Sequence, residues 1–173
     1  MTDQQYEQAI SFWTRKTEIE KQMDPDALYS WIHTYLSSHK ILALATSAKN
    51  FIRCTPLEYT WHDDALWIFT EGGLKFRGLR ENRHVAATIF DENPSFGELQ
   101  SIQIEGQIQI PELFGDIYRK EAAFRHLPIH TLQNLSEPMW LLQLIPTEIT
   151  CLNSDFKKEG FQSRQIWKSK ERD

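Results

Sequence analysis

A short segment around Lys75 carries the residues of this chain that are best suited to chemistry. It reads EGGLKFRGLREN over residues 71–82. Gly72 and Gly73 allow backbone conformations that aim N–H groups at an anion. Lys75 adds a point charge and Arg77 a forked set of donors, and the positive end of a short following helix points the same way. The pattern is typical of a phosphate-binding turn, and equally consistent with a plain strand-to-helix turn with two solvated cations.

A second polar element lies in FIRCTPLEY, residues 51–59. Arg53, Thr55 and Leu57 alternate onto one face of a predicted strand. Burying an arginine unpaired on an apolar strand is costly, so Arg53 either meets a ligand or pairs with Glu58 or Asp64 at the rim. The proline at position 56 indicates an edge, a bulge or a ligand-facing break in the strand.

Other kinds of catalysis find little support in the sequence. The serines lack a nucleophile-elbow context, and Cys54 and Cys151 have no base near them in sequence. The six histidines are scattered without zinc-type spacing, so no metal site is predicted. Paired carboxylates such as Asp63 and Asp64 fall in turns, where solvation is expected. No catalytic side chain is assigned.

The elements that position these residues form a predicted antiparallel sheet. Hydrophobic and polar residues alternate, as half-buried strands require, through residues 41–47, 51–61, 65–90 and 101–110, the third range interrupted by the Lys75 segment. The short connections Ala48–Asn50 and His62–Asp64 predict hairpins. Gly106 falls on the isoleucine face of its strand, which indicates a bulge or a close approach.

Helices are predicted before the sheet. Residues 4–22 show one apolar stripe. The segment that follows is the clearest helix of the chain, since Asp24 is a capping residue, Pro25 stands in the first turn, and apolar residues recur at helical spacing to Ser38. Both helices are expected to cover one end of the sheet.

The second half of the chain continues the pattern. Pro111 is predicted to begin a helix that runs to about His126, with Leu113, Ile117 and Phe124 facing inward. Residues 128–138 read as a loop, and the segment around Pro146 reads as a pair of strands. The tail from Asp155 is polar. It is either frayed or packs on a partner through Phe161, Ile166 and Trp167.

The architecture that follows is mostly β with flanking helices, an α+β antiparallel barrel or rolled sheet rather than a parallel βαβ fold. At 173 residues the chain suits one domain. We expect N-terminal helices over 1–38, the barrel over 39–153 and a tail over 154–173.

Composition narrows the classes of function. A formal net charge of −5 disfavours a general nucleic-acid binder, which needs a basic footprint. No apolar run approaches the roughly 20 residues that span a membrane, and the N-terminus does not read as a signal peptide. Two cysteines do not make a disulfide framework. These features predict a cytoplasmic protein without membrane or nucleic-acid partners.

The order of motifs resembles a known family. IRCTPLEY, WIFT, LKFRGLREN, HVAATIF and IQIEGQIQI follow one another within residues 38–153. This order is similar to that of FMN-binding split-barrel proteins of the pyridoxamine 5′-phosphate oxidase type, especially the short bacterial members of general-stress-protein or oxidase-like kind. The family turn often has a hydroxyl residue two positions before the lysine, where this chain has Gly73.

The resemblance implies a homodimer of split barrels with FMN bound at the dimer interface. It assigns three groups of residues to the cofactor. Those lining the ring system or ribityl chain are Arg53, Thr55, Pro56, Leu57, Phe69 and Thr70. Those at the phosphate are Lys75 and Arg77. Those supplying polar contacts, often across the interface, are Ser101 and Gln103.

The function implied is an FMN-dependent oxidoreductase that acts with a small-molecule substrate or electron donor of unassigned identity. Flavin chemistry requires no nucleophilic side chain, in keeping with the absence of a triad or metal motif. The alternatives are a non-catalytic flavin-binding or stress-related module, a split barrel that uses haem or a deazaflavin, and a purely structural dimer.

Overall fold

A computed structural model describes residues 1–19, 21–92 and 94–169. The helices are α1 (Asp3–Ile10), α2 (Phe12–Ile19), α3 (Pro25–Ser38), α4 (Lys75–Glu81), α5 (Asp116–Phe124) and α6 (Ile129–Gln133), with a 3-10 helix at Ser154–Glu159. The strands are β1 (Ile41–Ala48), β2 (Phe51–Glu58), β3 (Thr60–His62), β4 (Ala65–Thr70), β5 (His84–Phe90), β6 (Ser101–Gln109), β7 (Trp140–Leu152) and β8 (Arg164–Lys168).

The strands form one antiparallel sheet in the order β2-β1-β5-β6-β7-β4-β3, with β8 also paired to β7. The sheet curls into a split barrel with flanking helices, so the predicted fold class is confirmed. Both predicted hairpins form, with left-handed backbone at Lys49 in the first and at Asp63 and Asp64 in the second. The predicted strand over 51–61 is divided, because β2 pairs with β1 whereas β3 pairs with β4.

The N-terminal helices differ in part from the prediction. The stripe over residues 4–22 becomes two helices, since the Ser11 hydroxyl donates to the carbonyl oxygen of Glu7 and α1 ends there. Residue 20 lies outside the described residues. Helix α3 forms where it was predicted, and the carboxylate of Asp24 accepts the backbone N–H groups of Asp26 and Ala27. Its buried face packs on the main core through Leu28, Ile32, Tyr35 and Leu36.

Strand β7 pairs with β6 along one edge and with two strands along the other. Trp140–Leu144 pairs with β4, and Glu148–Leu152 pairs with β8. The predicted pair of strands around Pro146 is therefore wrong, because β7 is continuous. Pro146 is tolerated since it lies between the two paired stretches, where its missing N–H breaks neither ladder. The pairing of β6 with β7 shifts at Gly106, so the predicted irregularity is confirmed.

The tail joins the sheet of its own chain. Beyond the 3-10 helix, β8 extends the β7 edge, and Phe161 and Trp167 pack against the main core. The prediction of a frayed or partner-bound tail is wrong for these residues, because β7 offers a free edge for them to pair with. Residues 170–173 lie outside the described residues.

A second apolar cluster lies on the opposite face of β4 and β7, beneath α5 and α6. Helix α5 begins at Asp116 rather than Pro111 and buries Tyr118, Glu121 and Ala122. The prediction that Ile117 and Phe124 face inward is wrong, since they are 51% and 54% exposed. Leu113 does pack on this cluster, and the predicted loop over 128–138 contains α6.

No helix among the described residues combines the length and the apolar character that crossing a membrane demands.

Candidate functional site

The backbone after β4 folds around the ammonium group of Lys75. Its Nζ donates to the carbonyl oxygen of Glu71 at 2.8 Å and to that of Gly72 at 2.9 Å. The residue is only 5% exposed. Burial lowers the pKa of Lys75, while the Glu71 charge acts in the opposite direction. We call residues 71–74 and this side chain the Lys75 turn.

Two glycines leave the surroundings of this ammonium open. Gly73 has a φ of 126°, which favours glycine, and a Cβ placed there would lie 3.7 Å from Lys75 Nζ. A Cβ on Gly72 would meet nothing within 4 Å. An ammonium has three donors, and the described residues accept two of them. The turn therefore keeps one donor for a further acceptor, beside a position that carries no side chain.

Helix α4 holds the Lys75 turn against the sheet. A Cβ on Gly78 would lie 3.0 Å from Thr46 Cβ and 3.1 Å from the backbone nitrogen of Ser47. Such a short separation shows that α4 approaches β1 more closely than a larger residue would allow. The helix has only seven residues, so its dipole is small and the Lys75 ammonium supplies most of the positive charge.

Arg77 leaves α4 in a different direction from Lys75. Residues two apart on a helix lie about 200° apart around its axis. The guanidinium carbon of Arg77 is 4.7 Å from the ring centre of Phe51, a cation–π contact that ties α4 to β2. The structure thus places Arg77 beside β2 and away from the Lys75 ammonium.

The β2 residues of the predicted site lie as the alternation indicated. Arg53, Thr55 and Leu57 are in register with buried residues of β1, so they share the inner face of the sheet. Arg53 is exposed and forms no ion pair with the described residues. The alternative of a rim pair is wrong, because Glu58 contacts Arg125 at 3.7 Å and Asp64 accepts the Tyr29 hydroxyl.

The remaining predicted residues divide between this site and other surfaces. Thr70 is buried beside the turn, and its hydroxyl donates to the carbonyl oxygen of Glu71 at 3.2 Å. Phe69 lies on the opposite face of β4, with its ring centre 5.3 Å from that of Tyr118. Three residues lie on the outer face of the sheet: Pro56, Ser101 and Gln103. One chain does not bring these three to the Lys75 turn.

The structure adds a residue that the sequence reading missed. Thr46 is 1% exposed, lies beneath Gly78 and is in register with Arg53. Its hydroxyl oxygen has no hydrogen-bond partner among the described residues. The sequence did carry a signal for this residue, because ILALATS places a threonine at an inward-facing position. Buried hydroxyls normally have a hydrogen-bond partner, so such a threonine indicates a candidate ligand contact.

Comparison with known proteins identifies the fold. No family model and no curated protein matches the chain. An FAD-binding protein from Mesorhizobium loti matches with a TM-score of 0.56 and 19% identity, over 77% of this chain and 95% of that one. The chain also matches a protein from Clostridium acetobutylicum that is related to general stress protein 26 and belongs to the pyridoxinephosphate oxidase family. The TM-score is 0.59 and the sequence identity 16%, over 84% of this chain and 96% of that one.

A third match is HutZ, described as the heme storage protein of Vibrio cholerae. Its TM-score is 0.55 and its identity 14%, over 72% of this chain and 91% of HutZ. At these identities the likeness concerns the fold. The chain has the split-barrel fold of flavin-binding and pyridoxamine 5′-phosphate oxidase-like proteins, as the sequence motifs predicted.

Proposed function

We propose that the chain binds FMN through the Lys75 turn and acts as a flavin-dependent oxidoreductase on a small molecule. The observation that carries this proposal is the buried ammonium of Lys75, which has one donor left and no ion-pair partner among the described residues. The split-barrel fold, which flavin-binding proteins share, supports it.

The electrostatics of the turn suit a phosphate. A buried cation whose hydrogen bonds go only to neutral carbonyl oxygens is costly, and the Glu71 charge offsets its desolvation only in part, since the pKa of Lys75 is still lowered. A phosphate dianion beside Lys75 would offset the desolvation of the ammonium and raise its lowered pKa. Gly73 leaves room for its oxygens, and Arg53 adds a second cation on the facing strand.

The other inner-face residues then take up the rest of the cofactor. Thr55 and Leu57 follow Arg53 along β2, so we assign them to the ribityl chain and the ring edge. When bound, the flavin supplies hydride or electron transfer. The protein's part is to anchor the phosphate, orient the ring and exclude water.

A second copy of the chain completes the proposal. The outer face of β1, β2 and β5 is bare and carries exposed apolar side chains at Ile41, Ile52 and Phe90. Pro56 belongs to this outer face, and Ser101 and Gln103 continue it on the neighbouring strand β6. Packing two such faces together would cover the apolar side chains and bring Ser101 and Gln103 of one copy towards the cofactor of the other.

The test is flavin titration of purified Lys75→Met, with Lys49→Met as the matched control because Lys49 is an exposed cation near the same helix. Loss of a charge-assisted hydrogen bond should weaken FMN binding by about 1–3 kcal/mol. Lys49→Met should bind as the unchanged protein does. Riboflavin, which lacks the phosphate, should bind both variants alike. Equal FMN affinity in all three proteins would overturn the phosphate assignment.

Turnover separates an enzyme from a flavin-binding module. We expect the bound flavin to be reduced by NADH or NADPH and reoxidised by a small-molecule acceptor, followed by absorbance in stopped flow. Flavin that stays oxidised with both donors would favour the non-catalytic module, while leaving the binding site in place.

Haem is the second candidate ligand, because the fold is also that of HutZ. The ring nitrogens of His39 and His62 contact Asp91 and Glu121, so neither is free to bind iron without losing that contact. Four exposed histidines remain as candidates: His33, His84, His126 and His130. Titration with haemin in place of FMN distinguishes the ligands, since haem bound to a histidine gives a Soret band that one of the four single alanine variants should remove.

A further inference from the structure

A cleft of about 1440 Å³ opens along β7, where no strand of the described chain pairs with its second edge. Strand β4 pairs as far as Leu144 and β8 pairs from Glu148, and between them the only backbone hydrogen bond found on this edge among the described residues is from Ser169 N–H to the Thr147 carbonyl oxygen. Residues 145–147 all line the cleft. None of the residues that form the Lys75 turn lines it, so this is a separate site in the same barrel.

The local sequence keeps this gap from closing. A Cβ on Gly106 would lie 2.4 Å from the carbonyl oxygen of Ile145, which shows how tightly β6 and β7 pack at their bulge. Pro146 has no N–H to offer to a further strand. The gap is therefore part of the fold, and its walls come from α3, the β3–β4 turn and β8.

An aromatic pair forms one wall. The rings of Tyr29 and Trp167 have centres 5.5 Å apart and planes inclined by 36°. The Tyr29 hydroxyl donates to the carboxylate of Asp64 in the β3–β4 turn. Burial, together with the Asp64 hydrogen bond and charge, raises the pKa of Tyr29 to about 12, so the phenol stays neutral and keeps donating at ordinary pH. This contact fixes the carboxylate next to the rings.

The charged groups of the cleft are mainly negative. Asp26, Asp64 and Glu148 line it, and among the described lining residues Lys168 is the cation. Lys168 is already paired, with its Nζ 3.3 Å from Glu148. Within the described chain, neither Asp26 nor Asp64 forms an ion pair. The uncompensated charge is thus that of two carboxylates, opposite in sign to the Lys75 turn.

We propose that this cleft binds an organic ammonium ion that carries a flat apolar group. The flat group lies against Tyr29 and Trp167, and the ammonium lies at the Asp64 carboxylate. Aromatic faces attract cations, and a carboxylate held beside them gives both the charge and the direction of the bond. Phosphates and carboxylates are excluded by like charge. The inference does not depend on flavin binding.

The experiment is calorimetric titration of the full chain with three probes that share one ring: benzylamine, benzyl alcohol and benzoate. We expect benzylamine to bind most tightly, benzyl alcohol more weakly and benzoate not at all. Benzylamine affinity should fall as salt is added, because ion pairing contributes to it. Titrations with and without FMN should agree, so a failure of flavin binding leaves this test intact.

Asp64→Asn is the decisive variant, because it removes the charge and still accepts the Tyr29 hydroxyl. It should weaken benzylamine binding by about tenfold or more. Asp63→Asn is the matched control, since Asp63 is the neighbouring exposed carboxylate, contacts Lys120 at 3.4 Å and does not line the cleft.

Three results would overturn the proposal: equal effects of the two variants, benzoate binding as tightly as benzylamine, or no heat with any probe at millimolar concentration. Circular dichroism of both variants establishes that the fold is kept.

Discussion

The outer surface of the sheet has two halves that differ in what covers them. On β4 and β7 the apolar side chains of Trp67 and Leu141 are buried beneath α5, whose Tyr118 is fully buried. On β1, β2 and β5 no helix of the described residues covers the outer face, and Ile52 and Phe90 remain 78% and 55% exposed. The apolar side chains of one half are covered by helices of the same chain, whereas those of the other half remain exposed.

This difference indicates where another molecule is expected. Monomeric proteins rarely leave large apolar patches in water, and such patches commonly mark interfaces. The inner face of β1 and β5 already packs into the main core through Leu42, Leu44, Val85, Ala87 and Ile89, so the core does not need the bare half. Its apolar character is best explained by association, which is why we assign it to the second copy of the proposed dimer.

The largest difference between the halves should appear in stability. Tyr118→Ala removes a buried ring and the hydrogen bond from its hydroxyl to the Met139 carbonyl, so it should lower the free energy of unfolding by about 3–5 kcal/mol. Phe90→Ala, on the bare half, should cost less than about 0.5 kcal/mol in dilute solution. Urea denaturation of both variants measures this, and equal losses would mean that the halves do not differ as described.

A charge on the bare half should act on association instead. Ile52→Glu should weaken the proposed dimer by about tenfold or more, roughly 1.4 kcal/mol, with little change in the stability of the monomer. Ile117→Glu is the control, since this isoleucine is 51% exposed on α5, outside the bare half. Analytical ultracentrifugation over a range of protein concentrations measures the dimer dissociation constant of both variants. A dimer that survives the first change and is lost with the second would place the interface elsewhere.

The smallest effect is expected in thiol reactivity. Cys54 is exposed on the outer face of β2, whereas burial in the core raises the pKa of the Cys151 thiol well above its usual range. Iodoacetamide should therefore modify one thiol per native chain. Labelling of Cys54 should slow a few-fold as protein concentration rises and the faces pack together. A rate that is independent of concentration would argue against this interface, and modification of Cys151 first would contradict the burial.

Much of the fold follows from patterns that are local in sequence. Strict alternation predicted the strands and the shared face of Arg53, Thr55 and Leu57, and the Asp24 cap predicted α3. Alternation along a strand reports the side on which each residue lies, and capping reports where a helix starts. Neither depends on distant residues, which is why these predictions agree with the structure.

The errors concern features that distant residues decide. Helix α5 begins at Asp116 instead of Pro111, and the rotation that exposes Ile117 and Phe124 is set by contacts with β4 and β7. Pro146 reads as a break because its local effect is to remove a donor. The gap between β4 and β8 that accommodates it involves residues far away in sequence.

The candidate site shows the same division. Glycines and a lysine at close spacing predicted the Lys75 turn, but not that its ammonium would be buried against two carbonyls. Helical periodicity alone would have shown that Arg77 and Lys75 point apart. The sequence alone could not establish Thr46 as a candidate, because its hydroxyl is buried by the packing of α4 over β1. That contact joins segments about thirty residues apart.

The long strand β7 has a consequence for how the polypeptide is made. Thr70 of β4 finds its pairing partner only at Trp140, and β8 is also attached to β7. A chain emerging from the ribosome must therefore carry the β3–β4 hairpin with an open edge until Trp140 and the residues that follow it in β7 have been synthesised. Such edges are where nascent proteins aggregate, so this hairpin is the segment that a chaperone would be expected to shield.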